Sequence, residues 1–284
     1  MAFPSPPAPF LTTVVHDLST NPPIAALCAG YETGKWRVEG LTSHLLEWLP
    51  EFALSEEELR EFQPGSALRL IRKAAQLVYQ TEKYKLRGEF GEMLLHVALR
   101  QLYNSIPAIS KIYWKDSVNS TVKGFDAVHV VEANNKLELW LGEVKFYEDA
   151  AKAMRDVVSE LEAHTGKDYL KNEFTLITNK LDHQATYHKK LVKLLDPNTS
   201  LDEVFDAVCI PVLLTYNSES VRASIKSDPK YLAAIRSESM AILKKFSELV
   251  GKLKTPVKLH LFLVPLHTKS DLVRLLDKRL KELQ

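Results

Sequence analysis

The chain has 284 residues, 45% of them hydrophobic, so it is long enough to bury one large α/β core. Lys and Arg number 37 against 36 Asp and Glu, a formal net charge of +1. That balance excludes a protein that coats nucleic acid by charge alone, and any basic surface must be local.

The opening "MAFPSPPAPF" is proline-rich and has no basic stretch leading into an apolar core, so no secretory signal is expected. No uncharged apolar run approaches the ~20 residues that span a bilayer, and the expected location is cytoplasmic. Cys28 in "IAALCAG" and Cys209 in "FDAVCIPVLL" lie far apart in apolar company. This is no zinc spacing; it predicts buried free thiols in a reducing compartment. "LTSHLLEWL", Leu41 to Leu49, has helical spacing and should stop at Pro50. Ser55 followed by Glu58 is a capping-box signature for a short helix. Pro64 and Gly65 close that unit, so residues 1–65 are predicted as an N-terminal accessory region and 66–284 as the main domain.

From Ser66, "ALRLIRKAAQLVYQ" predicts a helix that buries Leu68, Ile71, Ala75 and Val78. "RGEFGEMLLHVALRQLY" is nearly apolar around its circumference from Met93 to Leu102, as an interior helix would be. The period then changes to that of strands in "KIYWKDS", "GFDAVHVV" and "LELWLGEVKFY", with the short "EANNK" predicting an antiparallel hairpin. "EDAAKAMRDVVSELEAH" is helical again, with Ala150, Met154, Val157, Val158 and Leu161 on one face. "FTLIT", "FDAVCIPVLLTY" and "VKLHLFLVPL" are predicted strands, with helices over Tyr231 to Leu253 and Ser270 to Leu283. A meander followed by strands joined through helical crossovers predicts an α/β fold: a mixed sheet flanked by helices.

The chemistry sits in "WLGEVKFY". Residues two apart on a strand face the same side, so Glu143 and Lys145 point together. Asp126 lies in the preceding strand and comes beside Glu143 if the hairpin pairs. Two nearby carboxylates in a partly buried place repel, which raises a proton affinity or calls in a cation. Magnesium suits such a pair together with waters and substrate phosphates. A lysine beside it supplies a compact charge that can orient water or offset a developing negative charge. On the upstream helix Glu89, Glu92 and His96 share one face by their spacing of three and four.

Asp126, a gap of sixteen residues, then Glu143-x-Lys145 at a strand end resembles the PD-(D/E)xK nuclease superfamily, with Phe125 where the proline of that name would stand. The resemblance implies a restriction-endonuclease-like fold and a further acidic residue from the first core helix, Glu92 first and Glu89 second. At a finer level, "RGEFGEMLLH", "GFDAVHV" and "LGEVKFYEDAAKAMRD" are similar to the HamA nuclease subunits of Hachiman anti-phage defence systems, over roughly Leu86 to Leu161. That likeness implies a DNA nuclease dependent on magnesium or manganese, held in check by a HamB-like partner helicase. Asp126, Glu143, Glu92 and the Val144 carbonyl are its expected metal ligands. Lys145 completes the expected catalytic set, and Lys152 and Arg155 are placed to reach a DNA phosphate from the rim.

"GYETGKW" is not a phosphate loop: three residues separate Gly30 and Gly34 where four are needed, and Trp36 stands where Ser or Thr should follow the lysine. Any use of ATP then belongs to a partner. His183 and His188 read as a solvated pair rather than a zinc site. "LKKFSELVGKLKTPVK", Leu243 to Lys258, carries five lysines and one glutamate and could meet DNA or an acidic partner. The competing reading is a non-catalytic DNA-binding or assembly subunit that keeps the nuclease fold, against which the full acidic–acidic–lysine set stands. A stand-alone restriction enzyme would need a target-reading module, and no motif for one is found.

Overall fold

"IAALC", "VCIPVLLTYN" and "KLHLFLVPL" are buried along almost their whole length, as parallel strands covered on both faces must be. In the computed structural model, which describes residues 6–79, 88–109, 124–133, 136–253 and 257–284, they form the middle of one seven-stranded sheet. The strands are β1 (Thr12–Asp17), β2 (Ile24–Cys28), β5 (Ile106–Ile109), β6 (Ala127–Ala133), β7 (Lys136–Phe146), β8 (Val208–Asn217) and β9 (Lys258–Leu266). A two-stranded ribbon, β3 (Tyr31–Glu32) and β4 (Lys35–Trp36), stands apart. The sheet order is β1-β2-β9-β8-β7-β6-β5. Pairings β2–β9, β8–β9 and β7–β8 are parallel; β1–β2, β6–β7 and β5–β6 are antiparallel. This is the mixed, helix-flanked, restriction-endonuclease-like sheet that the sequence predicts.

The helices are α1 (Val38–Glu47), α2 (Leu49–Ala53), α3 (Glu56–Arg60), α4 (Ala67–Tyr79), α5 (Gly88–Tyr103), α6 (Ala150–His164), α7 (Lys167–Lys180), α8 (His188–Leu194), α9 (Leu201–Asp206), α10 (Glu219–Arg222), α11 (Pro229–Val250) and α12 (Lys269–Glu282). Several boundaries differ from the sequence reading, each for a physical reason. Pro50 does not end helical structure; it sits in the first turn of α2, where its missing N–H is not needed. The Ser55–Glu58 capping box is present, with both reciprocal bonds. In α4 the buried face is Leu70, Ala74, Ala75 and Val78, and Leu68 is exposed. "FTLIT" is part of α7, not a strand. Its β-branched residues carry local strand propensity, but Leu170, Phe174 and Ile177 recur at helical spacing and share one buried face. "KIYWKDS" lies outside the described residues, and the strand pairing with β6 is the earlier "IPAI".

The first 65 residues, expected as an accessory region, supply β1 and β2 to the same sheet. Ile24 pairs with Leu261 and Ala26 with Leu263 in parallel register. A fully apolar five-residue strand has no stable place outside a two-faced core, which is why it is built into this one. Cys28 and Cys209 are both buried free thiols.

The position of β7 sets up the site. α5 lies against the face bearing Gly142, Val144 and Phe146. A Cβ on Gly91 would come within 2.7 Å of Phe146 Cβ and Val144 Cγ1, so only glycine lets the helix approach this closely. By alternation Glu143 and Lys145 face the other side, where α6 returns over the sheet.

Candidate active site

Glu143 and Lys145 are two of the few charged side chains buried in the core, 2% and 7% exposed. Burying a carboxylate or an ammonium is expensive unless each finds a partner, and here each does. Asp126 stands at the start of β6, one step before the Ala127–Gly142 pair. Its N–H donates to the Gly142 carbonyl at 2.7 Å, and its Oδ2 accepts the Val144 N–H at 2.8 Å. The hairpin thus brings Asp126 beside Glu143, as the sequence predicts. The glutamate registers that neighbour. Burial pushes its pKa up to about 7, and the Asp126 charge adds to the rise.

Two further side chains hold the Glu-x-Lys pair, and both come from α6. His164 Nδ1 lies 2.5 Å from Glu143 Oε1, and the Lys145 ammonium pairs with Glu160 Oε2. The bond to Glu143 raises the His164 pKa. His164 is 20% exposed and Glu160 42%, so it is these two outer partners, rather than Glu143 and Lys145, that meet solvent. The His164 ring stacks on Tyr169, centroids 4.5 Å apart at 11°. Behind it Glu173 accepts the Phe125 N–H through one oxygen, while its Oε2 is buried without a hydrogen-bond partner. Glu160, His164, Tyr169 and Glu173 were not singled out from the sequence.

Glu92 is buried and Glu89 half-buried in the first two turns of α5, the helix on the opposite face of β7. His96, which shares their face by spacing, turns instead to Glu51 at 3.1 Å. Lys152 and Arg155 are exposed on α6, with the Lys152 ammonium 5.4 Å from the Tyr147 ring centre. His183 and His188 contact each other at 3.1 Å, the first exposed and the second half-buried. Among the described residues no helix is long and apolar enough to cross a membrane.

Carboxylate oxygens are the donors that a hard divalent ion prefers. Two carboxylates repel across the hairpin, and the more buried one is drawn toward its proton in the absence of a cation. Among the described residues no three His, Cys, Asp or Glu side chains gather as a finished ion cage. Magnesium does not require one, since one or two carboxylates with waters and a substrate phosphate suffice.

Glu173 gives a test that needs no substrate. Burial lifts its pKa to about 7, above its unfolded value near 4.5. A carboxyl shifted in that direction stabilises the fold below its unfolded pKa, and the contribution is lost as pH rises through about 7. Glu173→Gln copies the protonated form. It is expected to melt level with wild type at pH 5 and higher at pH 8, by on the order of 1–3 kcal/mol of stability, the cost of a buried carboxylate with one oxygen left without a hydrogen bond. Parallel melting curves of the two chains from pH 5 to 8 would contradict this account.

No curated protein matches the chain. A family model described as HamA matches residues 8–280, which takes in all seven strands and both sides of the candidate site. The chain therefore belongs to the HamA family, and through it to Hachiman defence.

Proposed function

We propose that this HamA protein is a metal-dependent DNA nuclease, the effector of its defence complex. The observation that supports this best is the meeting of Asp126 and Glu143 across the β6–β7 hairpin, with Lys145 two residues further along the same strand. Asp126 and Glu143 would hold magnesium or manganese, with the Val144 carbonyl as a further ligand; Glu92 and Glu89 ride on α5, against the opposite face of β7, and are not among the ion's ligands in this reading. A bound ion supplies Lewis acidity: it lowers the pKa of water and screens phosphate charge. Lys145 places its ammonium where it can orient the attacking water or offset charge on the phosphate. Lys152 and Arg155, exposed on α6, would serve as phosphate contacts that position DNA without reading sequence.

Membership of the family implies a partner within the Hachiman system. We take that partner to be the HamB-like helicase, which restrains cutting until DNA and ATP release it. A free nuclease would injure its own cell.

Purified alone, the chain is expected to nick or linearise a plasmid in magnesium and to leave it intact in EDTA. With the helicase it should cut only when activating DNA and ATP are both supplied. A plasmid untouched by the free chain at any magnesium or manganese concentration would refute the nuclease reading.

The pairing of Glu143 with His164 and of Lys145 with Glu160 favours one second reading: a non-catalytic DNA-binding or assembly subunit whose charges are satisfied internally. That reading expects DNA binding of equal strength in magnesium and EDTA, and no cleavage in either.

A further inference from the structure

The two side chains that hold the Glu-x-Lys pair are spaced to match it. Glu143 and Lys145 are two apart on a strand, a rise of about 6.6–6.8 Å. Glu160 and His164 are four apart on a helix, a rise of about 6.0 Å. The chain reverses between β7 and α6, so the order reverses too: Lys145 meets Glu160, and Glu143 meets His164. The charges are crossed, with acid against base at both positions. A third support comes from α7, where Glu173 accepts the Phe125 N–H beside Asp126.

A helix laid on a strand only for packing would place apolar residues at these positions, as α5 does where Leu95 meets Gly142 and Gly91 meets Val144 and Phe146 on the opposite face. Two nearly complete burials of charge serve the fold poorly, since an apolar pair of similar size is often as stable or more so. We propose that α6 is the positioning element of the active site: His164 orients the Glu143 carboxylate for an ion, and Glu160 holds the Lys145 ammonium against the reacting phosphate. His164 engages Oε1 of Glu143, and a carboxylate ligand fixed through one oxygen presents the other in a defined direction. Neither residue touches substrate; each acts through its partner on β7. The inference rests on the nuclease reading above.

The test uses the purified full chain and five proteins: wild type, His164→Ala, His164→Gln, Glu160→Gln and Glu160→Asp. Magnesium and manganese are titrated in calorimetrically without DNA, plasmid cleavage is followed over DNA concentration, and each protein is melted. His164→Ala is expected to weaken ion binding by about 10–100-fold. His164→Gln, which keeps a neutral N–H donor, should recover most of that loss. Glu160→Gln should leave ion binding within about twofold and lower kcat by about 10²-fold with little change in KM, the effect of a misplaced reacting group. Glu160→Asp should regain part of it.

Unchanged ion affinity in His164→Ala overturns the proposal, as does unchanged kcat in Glu160→Gln. So does a uniform fall of affinity, kcat and melting temperature in all four variants, which would mark a purely structural role. A wild type that binds the ion and cuts nothing ends the nuclease reading instead, and the His164 variants still decide whether α6 orients the carboxylate.

Discussion

Lys145→Ala is expected to abolish plasmid cleavage while the protein stays folded. Removing one preorganised charge donor from a water-poor site costs about 10²–10³-fold in rate, enough to leave no visible nick over the time in which wild type converts the plasmid. The fold should tolerate the change. The partner left behind, Glu160, is 42% exposed and can turn to water, so the lost ion pair costs no more than about 1 kcal/mol. Lys145→Arg should fail as well. The position is 7% exposed, and a planar guanidinium cannot take the place of a compact ammonium there. The measurement is a cleavage time course beside a thermal melt for all three proteins. Equal cutting by wild type and Lys145→Ala would place the chemistry elsewhere.

The pairing of Asp126 with Glu143 was legible because it needs only local rules. A short hairpin fixes the register of two adjacent strands, and period two fixes which side chains share a face. Glu160 and His164 follow from the same rules one level up. Their spacing in "SELEAH" matches the strand spacing of Glu143 and Lys145, but the match means something only once α6 is known to lie over that face. Glu173 was hidden for a different reason. "FTLIT" reads as a strand from its β-branched residues, and a strand there gives no reason to bring Glu173 to the site. Tertiary burial of Leu170, Phe174 and Ile177 decides for a helix. The role of "IAALC" escaped because strand pairing over more than two hundred residues leaves no local trace. Ile24 pairs with Leu261 on the edge of β9 that β8 leaves open.

The largest expected loss of stability lies away from the site, at Arg100. Its guanidinium Nε is 2.7 Å from Glu51 Oε1, and its NH1 donates to the Ser105 carbonyl at 2.6 Å. His96 reaches the same Glu51 oxygen at 3.1 Å, and all three side chains are buried. Burial alone would raise the Glu51 pKa, but His96 and Arg100 outweigh it and hold the carboxyl below its ordinary value. This group joins α2, from the first 65 residues, to α5, the helix seated on β7. Arg100→Ala strands the carboxylate with one weaker partner and orphans the Ser105 carbonyl. Breaking a buried pair from one side costs about 3–5 kcal/mol, which in a chain of this size lowers the melting temperature by roughly 10 °C.

Glu51→Leu combined with Arg100→Met removes both charges and should recover much of that loss, since the apolar pair no longer has to be desolvated. Recovery stays incomplete because Ser105 still lacks its donor. Calorimetric melts of wild type, the single variant and the double variant decide the matter. A fall of less than about 2 °C for Arg100→Ala would mean that the N-terminal helices are held in place by packing alone, including the Trp48 and Phe52 rings against His96.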